Sequence, residues 1–313
     1  MVKKVLVVGG AGYIGGCVTD YLLNKEIPFT VYDNLIYEHQ YLKPVDFIYG
    51  DVRDVRKLEK ILPLYSHIIW LAAIVGDGAC AIKPELTKEV NQDSVEWLAN
   101  NYNGKIIFTS TCSVYGANTK PVDELSELNP LSKYAETKLH AENFLSNKNA
   151  LIFRLGTAFG LSDTYSRIRM DLAINYMTMN AVKNKKLTVF GGEQYRPFVH
   201  VRDIGKFIVD NLDTPRKGIY NLATTNMSIL EIAKLIHQET GCKIEITKQL
   251  FEDKRNYNAI TKKGLADGVF SDKTSYTIPF GIHEIKELTT SQRIKNLELE
   301  LYSNEKYLLQ ILK

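Results

Sequence analysis

The segment VLVVGGAGYIGG at positions 5–16 sets the expectations for the rest of the chain. Its first four residues are apolar and mostly β-branched, which is typical of a strand buried on both faces of a parallel sheet. The glycines that follow fit both GxGxxG and GxxGxxG spacing, and a helical pattern continues through Leu23. Glycines between a strand and a helix let the backbone approach a pyrophosphate, which then lies at the helix N-terminus. The segment therefore predicts a dinucleotide-binding turn.

The residue directly after the second predicted strand indicates which dinucleotide is bound. This strand, Phe29–Tyr32, is followed by Asp33, at the distance from the glycines where a carboxylate accepts hydrogen bonds from the adenosine ribose and repels a 2′-phosphate. Asn34 and Leu35 come next, so no arginine stands beside Asp33 to hold such a phosphate. The sequence therefore predicts NAD in preference to NADP.

Further apolar runs predict strands at Phe47–Tyr49, Ile68–Ala73 and Lys105–Phe108, separated by helical stretches. This alternation is typical of a doubly wound parallel α/β sheet, which binds its ligand at the carboxyl ends of the strands. Two of these strands end in GDV at 50–52 and LAA at 71–73. Asp51 is a candidate partner for the adenine amino group, and the alanines leave room for the cofactor. Taken singly, each feature is more often a matter of packing or of a turn.

The composition excludes several classes of protein. The 313 residues are 45% hydrophobic and 24% charged, as in an ordinary soluble globular protein, and a net charge of +3 gives no reason to expect nucleic acid or a membrane as partner. The four cysteines have no CxxC or metal-ligand spacing, so we expect reduced thiols and no metal site. Apolar runs are too short for a signal peptide or a membrane span. We therefore expect a cytoplasmic protein.

Tyr134 and Lys138 are candidate catalytic residues because they lie four positions apart in a predicted helix and so share one face. A nearby ammonium favours the phenolate, which makes Tyr134 a candidate general acid/base. The same spacing occurs twice elsewhere in the chain and does not select this pair. The hydroxyl-rich segment TSTCSVYG at 109–116 does, because it follows the fifth predicted strand at the ligand edge of the sheet. On the same helix, Glu136 and Glu142 are predicted to face solvent.

With these motifs in place, the chain resembles an extended short-chain dehydrogenase/reductase of the NAD-dependent nucleotide-sugar epimerase/dehydratase family. The resemblance continues through RLGTAFG at 154–160 and RPFVHVRD at 196–203, and it covers nearly the whole chain. It implies a Rossmann domain with a doubly wound parallel sheet, NAD as cofactor and a nucleotide-diphosphate sugar as substrate. It also implies a homodimer or higher homo-oligomer, built on the helices near 92–103 and 132–145.

The length of the chain and the lapse of the alternating pattern after Gly160 predict two domains. Residues 1–160 together with about 194–225 would form the NAD-binding Rossmann domain, and about 161–193 together with 226–313 a smaller C-terminal α/β domain that binds the nucleotide sugar. Within the second half, the pattern predicts a helix over Met170–Asn184 and a strand over Leu187–Phe190. A further helix is predicted over Ser228–Thr240, with Ser228 as its cap, a glutamate in the capping-box position and Gly241 at its end.

The resemblance also implies roles for individual residues. Tyr134 is the expected acid/base, Lys138 the residue that binds the nicotinamide ribose and lowers the pKa of the phenol, and Thr111 the partner of the reacting sugar oxygen. The other expected cofactor-binding residues are Gly9, Gly12, Tyr13, Ile14, Gly15, Asp33, Asn34, Asp51, Val52, Leu71, Ala72 and Ala73. The other expected substrate-binding residues are Asn91, Thr157, Arg167, Arg169, Arg196 and Arg255.

Among these, Arg196 and Arg255 match arginines that grip the pyrophosphate, a task suited to the guanidinium fork. Arg167 and Arg169 lie in SRIRMD at 166–171, which belongs to the substrate half of the chain. They are candidates for phosphate contact, and the alternative is a solvated basic helix start.

Departures from the family pattern narrow the reaction. Family dehydratases carry an Asp-Glu pair after the catalytic Thr, where this chain has Cys112 and Ser113. A dehydratase is therefore disfavoured, since a base for elimination is missing. Members that epimerise carbon 3 or 5 use a Cys at the position of Ser113, so Cys112 is one place off; it is either a buried small residue or a substrate contact. What remains is hydride chemistry at carbon 4, by a 4-dehydrogenase or a 4-epimerase.

The segments LAAIVGDGAC at 71–80 and SRIRMD at 166–171 resemble a subgroup from capsule and other surface-polysaccharide pathways. Within it are enzymes that oxidise carbon 4 of nucleotide-linked heptoses, which makes a GDP-heptose one candidate substrate. The alternatives are a 4,6-dehydratase or a 3,5-epimerase/reductase. In a different class stands a non-catalytic NAD-sensing protein on the same fold. Such proteins commonly lose the Tyr/Lys pair, which is intact here.

Overall fold

The computed structural model describes residues 3–37, 41–247, 256–271, 273–274 and 276–312. Its strands are β1 (Val5–Val8), β2 (Phe29–Asp33), β3 (Phe47–Tyr49), β4 (His67–Trp70), β5 (Lys105–Thr111), β6 (Ala150–Leu155), β7 (Thr157–Phe159), β8 (Lys186–Phe190), β9 (Tyr195–His200), β10 (Gly218–Leu222), β11 (Thr225–Ser228) and β12 (Lys243–Thr247). Its helices are α1 (Tyr13–Asn24), α2 (Val55–Ile61), α3 (Asp77–Ile82), α4 (Pro84–Lys88), α5 (Ser94–Asn101), α6 (Lys133–Leu145), α7 (Ala173–Asn184), α8 (Val201–Asp210), α9 (Ile229–Thr240), α10 (Lys262–Ala266), α11 (Ile278–Thr290) and α12 (Asn304–Ile311). A π-helical turn spans Glu89–Asp93, and 3-10 turns span Leu62–Leu64, Cys112–Tyr115 and Glu300–Tyr302.

The main sheet has seven strands in the order β10-β6-β5-β4-β1-β2-β3, and all of its pairings are parallel. The chain runs outward from β1 in both directions, so the strand order reverses between β1 and β4. In an open parallel sheet, this reversal leaves a crevice at the carboxyl ends of the two strands. The predicted fold class, a doubly wound parallel α/β sheet, is confirmed.

The strand β1 is buried on both faces, as its unbroken apolar sequence predicts. Val5 and Val7 pack into one hydrophobic cluster together with α1 and α8. Leu6 and Val8 pack into a second cluster, on the opposite face, with residues of α5 and α6. Helices therefore cover both faces of the sheet, and the ends of the strands are left as the open edge where a ligand can bind.

Two predicted strands have different ends in the structure. The strand predicted over Ile68–Ala73 ends at Trp70, because the N–H groups of Leu71 and Ala72 both donate to the carbonyl of Val8 and turn the chain over the end of β1. By contrast, β5 runs on to Thr111 and carries the first hydroxyl residues of 109–116 inside the sheet.

The second half of the chain forms two small sheets, β11-β9-β7 and β12-β8, with α7, α9 and α11 packed around them. A third hydrophobic cluster lies among these elements and includes Ile174, Leu187, Ile232 and Ile282. The helix predicted over 228–240 is confirmed as α9, with the complete capping box at Ser228 and with the left-handed Gly241 (φ +69°) at its end.

The helix predicted to begin at Met170 begins instead at Ala173. The residues before it are held in a loop by contacts with other parts of the chain. Arg169 is paired with Asp171, and the Met170 N–H donates to the carbonyl of Tyr302 at 2.9 Å. Residues 163–172 thus form a loop, the 163–172 loop.

The C-terminal residues cross back to the first half of the chain. Helix α12 packs against α3, which follows β4 in the main sheet. The division into domains predicted above placed these two helices in different domains, whereas they share a hydrophobic cluster in the structure. Among the described residues, no helix combines the length and the apolar character that a membrane crossing would need.

Candidate active site

A cavity of about 1440 Å³ opens at the carboxyl ends of the central strands. Pockets for one small ligand have volumes of about 300–1,000 Å³, so this cavity has room for more than one such ligand. It is lined by the glycine-rich turn, by the ends of β2, β4 and β5, by the 163–172 loop, by β8 and β9, and by residues 303–305. The cavity therefore joins the predicted cofactor end to the predicted substrate end.

The glycine-rich turn presents bare backbone to this cavity. Gly9 has a left-handed φ of +81°, and a Cβ there would lie 2.5 Å from the Ala72 nitrogen, so only glycine fits beneath the end of β4. A Cβ on Gly15 would overlap the carbonyl of Gly10. Gly12 is the N-cap of α1, and no side chain caps that helix. Uncapped N–H groups at a helix N-terminus form an anion site, as a pyrophosphate requires.

Asp33 stands at the end of β2, beside this turn. Its carboxylate accepts hydrogen bonds from the Ala11 N–H at 3.1 Å and from the Leu35 N–H at 2.8 Å. Burial raises the pKa of Asp33, and the backbone hydrogen bonds oppose this change. The side chain is thus fixed at the cavity wall next to the first turn of α1.

Asp51 lies at the same end of the cavity, but other side chains already donate hydrogen bonds to its carboxylate. Arg53 Nε donates to it at 2.9 Å and Asn34 Nδ2 at 3.0 Å. Burial acts to raise the pKa of Asp51, but the hydrogen bonds from Arg53 and Asn34 outweigh it and hold that pKa below its usual value. Asp51 and Asn34 therefore form one polar wall, while Val52, Leu71, Ala72 and Ala73 line the cavity with apolar or small side chains.

Tyr134 lies on α6 and lines the cavity together with Thr111 from the end of β5. The sequence-based expectation was that Lys138 lowers the pKa of this phenol. In the protein without cofactor, burial raises the pKa of Tyr134, and the neighbouring Cys80 and Asp77 raise it further. A hydrogen bond with Thr111 and the charge of Arg169 act in the opposite direction without reversing the result. The phenol is thus neutral at pH 7, because desolvation outweighs the favourable contacts.

Lys138 lies one turn further along α6 and is buried, with its Nζ 4.3 Å from the centre of the Phe108 ring. Lys138 is not among the cavity-lining residues. Burial lowers its pKa to about 7, although the charge of Glu142 raises it. A buried ammonium needs hydrogen-bond acceptors, and the hydroxyls of a ligand would supply them.

The prediction that Glu142 faces solvent is wrong. Its side chain is buried and is paired with Arg154 of β6, whose Nη2 donates at 2.7 Å. Ser110 also donates to this carboxylate, and Arg154 Nη1 donates to the Tyr115 hydroxyl at 2.9 Å. Glu136, on the same helix, is exposed as predicted. Residues 134, 138 and 142 therefore form one inward-facing row, which ends in a buried ion pair beneath the site.

The arginines expected to bind the substrate have different surroundings. Arg196 of β9 is buried, lines the cavity and donates to the Tyr195 carbonyl at 2.8 Å. Arg169 lines the cavity and is paired with Asp171 at 2.6 Å. Arg167 also lines the cavity, and it donates to the Leu301 carbonyl and to Asn304, so its guanidinium holds the C-terminal residues. The solvated basic helix start is ruled out, because 166–171 is not helical and both of its arginines are buried. Arg255 lies outside the described residues.

Three further predicted residues divide into one that lines the cavity and two that do not. Thr157, at the start of β7, is part of the lining. The Asn91 amide is buried and bonded to both the N–H and the carbonyl of Ile74, so it supports the loop after β4 from behind. Cys112 is buried and bonded to the Arg154 carbonyl, away from the cavity. Its substrate-contact alternative is therefore wrong, and burial raises the pKa of its thiol.

Asp77 is a cavity residue that sequence reasoning missed. It is the first residue of α3, lines the cavity, and accepts a hydrogen bond from Ser132 Oγ at 2.7 Å. The C-terminal residues Ser303, Asn304 and Glu305 also line the cavity and were not predicted. An acidic residue directly after Gly76, in a segment that follows a strand, was the only available signal for Asp77.

The fold and this cavity define the chain as a dinucleotide-binding α/β protein of the Rossmann type, with a tyrosine, a threonine and a lysine near the cofactor end. Residues 5–223 match the model of the NAD dependent epimerase/dehydratase family. The chain belongs to that family, and its cofactor is NAD.

Among its relatives is UDP-glucose 4-epimerase 3 of Oryza sativa subsp. japonica, with 29% identity over 294 residues that cover 78% of each chain. The solved UDP-glucose 4-epimerase of Brucella ovis in complex with NAD superposes with a TM-score of 0.79 at 25% identity, covering 92% of this chain and 98% of that one. The NAD-dependent NDP-hexosamine 5,6-dehydratase TunA superposes with the same TM-score, 0.79, at 22% identity, covering 94% of this chain and 100% of that one.

Proposed function

We propose that this protein is an NAD-dependent oxidoreductase that acts at carbon 4 of a nucleotide-activated sugar, as a 4-epimerase or a 4-dehydrogenase. The observation that carries the proposal is the placement of Tyr134 and Thr111. Both line one continuous cavity with the uncapped N-terminus of α1, at the carboxyl end of β5. Relatives named as 4-epimerases support chemistry at carbon 4.

The residues at the cofactor end fit a dinucleotide. The bare backbone of the first turn of α1 would hold the pyrophosphate, and Asp33 would hold the adenosine ribose. Asn34, Asp51 and Val52 would flank the adenine, and Leu71, Ala72 and Ala73 would lie along the cofactor. The buried Lys138 ammonium, one helical turn beyond Tyr134, would bind the hydroxyls of the nicotinamide ribose.

The residues around Tyr134 supply the proton chemistry. NAD, when bound, accepts hydride from the reacting carbon. Tyr134, in its deprotonated form, takes the proton of the hydroxyl on that same carbon, so the C–OH group becomes a ketone. Thr111 lines the cavity with Tyr134, and its hydroxyl would hold the sugar hydroxyl within reach of the phenol. For the return step, Tyr134 in its neutral form is the acid that gives a proton to the keto oxygen.

The substrate end is suited to a pyrophosphate and a sugar. Arg196 is buried at the cavity wall, where its guanidinium fork would bind phosphate oxygens. Arg169 and Thr157 lie along the same lining and would contact the phosphates or the sugar. Arg255 remains a proposed second phosphate ligand. Arg167 also lines the cavity and remains a proposed phosphate contact, while its guanidinium donates to the Leu301 carbonyl and to Asn304 as well.

The sugar is the finer part of the proposal. The resemblance of 71–80 and 166–171 to enzymes of capsule pathways supports a role in surface-polysaccharide biosynthesis, with GDP-heptose as one candidate. UDP-hexoses are the other, on the strength of relatives named as UDP-glucose 4-epimerases. We also propose a homodimer through α5 and α6, which pack against each other. Light scattering of the purified protein measures this.

A nucleotide-sugar dehydratase is the second candidate, and Asp77 is the observation that favours it. Sequence reasoning disfavoured a dehydratase for want of a carboxylate near the tyrosine. The structure places the Asp77 carboxylate in the same cavity, close enough to raise the pKa of Tyr134. A carboxylate there is a possible base for the removal of water after oxidation at carbon 4.

The experiment that tests the proposal presents the NAD-loaded protein with UDP-, GDP-, CDP- and dTDP-hexoses and with GDP-heptose, and analyses the products by NMR. A 4-epimer or a 4-keto sugar with unchanged oxygen content supports the main proposal. A product that has lost water shows the dehydratase instead. The protein is also loaded with NADH and given 4-keto sugars. If it binds NAD but converts none of the sugars in the panel, and if its NADH reduces none of the 4-keto sugars, an enzymatic role at carbon 4 is contradicted.

A further inference from the structure

The last residues of the chain, Leu299–Leu312, cover one side of the cavity and are called the cap segment below. Its helix α12 buries Leu308 completely against Ile74, Ala79 and Cys80, in the loop and helix that follow β4. Tyr134 itself is packed against this cluster. The cap segment therefore lies next to the proposed catalytic side chain.

Asn304 fastens the cap segment to two loops at once. Only 4% of its surface is exposed. Its Nδ2 donates to the Val75 carbonyl at 2.9 Å, its backbone N–H donates to Asp171 at 2.8 Å, and its Oδ1 accepts from Arg167. Every polar group of the Asn304 side chain is thus used, on the loop after β4 and on the 163–172 loop.

A third loop contacts the same segment. Tyr37 lies in the loop after β2, and the centre of its ring is 6.1 Å from the centre of the Tyr307 ring. The Arg167 guanidinium carbon stacks 4.8 Å from the centre of the Tyr37 ring. The loops after β2 and β4 lie on either side of the glycine-rich turn after β1, since β1 stands between β4 and β2 in the sheet, and a dinucleotide would lie over that turn. The cap segment bridges both loops, and it also lines the cavity through Ser303, Asn304, Glu305 and Leu312.

We propose that the cap segment is a cofactor-retaining element that has to detach from the loops after β2 and β4 before NAD or NADH can leave. This inference rests on the proposed cofactor site and extends it to residues that the family match, which ends at residue 223, does not cover. Detachment exposes Leu308 and breaks the hydrogen bonds of Asn304, so it is rare and exchange is slow. A reduced cofactor then stays in place for the return of hydride, which favours the epimerase over a dehydrogenase that releases NADH.

The test measures release of NADH from the full-length protein, with no sugar present. Protein loaded with NADH is mixed with excess NAD, and the fall in NADH fluorescence is followed. Asn304→Ala and Leu308→Ala are compared with Asn296→Ala, an exposed residue of the same C-terminal region. We expect release to be about tenfold faster or more in the first two variants and unchanged in the third. Release rates within about twofold of wild type in both folded cap variants would overturn the proposal.

A measurement on the wild-type protein covers the case in which the variants do not fold. Hydrogen exchange of the α12 amides is followed with and without NAD, since an element that closes over the cofactor is stabilised by its binding. Slower exchange in α12 on addition of NAD supports the proposal, and identical exchange contradicts it. Both experiments use the cofactor alone, so their outcome is independent of whether any sugar is turned over.

Discussion

Ser132 Oγ donates a hydrogen bond to the Asp77 carboxylate at 2.7 Å and thereby links the N-cap of the Tyr134 helix to the first residue of α3. The same Ser132 oxygen accepts from the Ala135 N–H, so it serves as helix cap and as anchor together. This contact holds a negative charge at the cavity wall beside the phenol. Asp77 therefore affects both the acidity of Tyr134 and the choice between the two candidate reactions.

Replacement of Asp77 is expected to shift the pH dependence of the reaction. Because the Asp77 charge raises the pKa of Tyr134, Asp77→Asn should lower it. Sugar oxidation needs the deprotonated phenol, so the limb of kcat/KM that rises with pH should move to lower pH by up to about one unit. Glu136→Gln, on the exposed face of the same helix, is the control and should leave the profile unchanged. If the protein is a dehydratase that uses Asp77 as base, Asp77→Asn will instead abolish the loss of water.

The ionisation of Tyr134 without cofactor is a second prediction. The usual pKa of a tyrosine is about 10, and burial raises the pKa of Tyr134 above that value. The phenol should therefore be neutral throughout the range from about pH 6 to about pH 9. Difference absorbance of tyrosinate in cofactor-free wild type and Tyr134→Phe measures this directly. We expect the two titrations to coincide below about pH 9. A phenolate signal near pH 7 that Tyr134→Phe lacks would restore the original sequence-based expectation.

Lys138 should give the cofactor-free protein a pH-dependent stability. The unfolded chain keeps this proton up to about pH 10, whereas the folded protein loses it at about 7. Between these values the unfolded state binds more protons, so the free energy of unfolding rises with pH. Relative to Lys138→Met, wild type should gain about 2 kcal/mol from pH 7 to pH 9. Urea unfolding at both pH values gives this difference, and equal pH dependence in the two proteins would show that Lys138 is not desolvated.

Removal of one partner of the buried pair of Glu142 and Arg154 should lower the stability of the protein strongly. Glu142→Gln leaves the Arg154 guanidinium without its counter-charge in the interior and should reduce the free energy of unfolding by about 3–5 kcal/mol. Glu136→Gln, in the same helix but exposed, should change it by less than about 0.5 kcal/mol. Urea unfolding compares the two variants. Similar small effects from both would mean that the Glu142 carboxylate is solvated.

The cofactor half of the fold was predictable because its signals are local. The buried strand β1, the glycine turn and the carboxylate after β2 each follow from a few adjacent residues whose chemistry has one structural solution. The capping box of α9 is local in the same way. The predicted start of α7 failed because Met170 is bonded to Tyr302, more than a hundred residues away, and no pattern in the sequence reports that contact.

The candidate site was predictable only in part, for the same physical reason. Tyr134 and Thr111 could be named from motifs, whereas Glu142 was misplaced because its partner Arg154 lies on another element, brought near only by the folded sheet. The roles of Asp77 and Asn304 likewise depend on contacts across the fold. The prediction that Lys138 lowers the pKa of Tyr134 failed because both groups are desolvated, and this effect on the pKa outweighs any that follows from their spacing along the helix. Desolvation depends on packing density, which the spacing does not report.

The measurement that tests the central claim most directly is a comparison of wild type and Tyr134→Phe, both loaded with NAD, in a single turnover of the nucleotide sugar that wild type accepts. Tyr134 is proposed to take the proton from the reacting hydroxyl, so the variant should retain NAD and lose about 10²–10⁴-fold in the rate of hydride transfer, followed as NADH absorbance. A Tyr134→Phe protein that forms NADH at the wild-type rate would contradict the account.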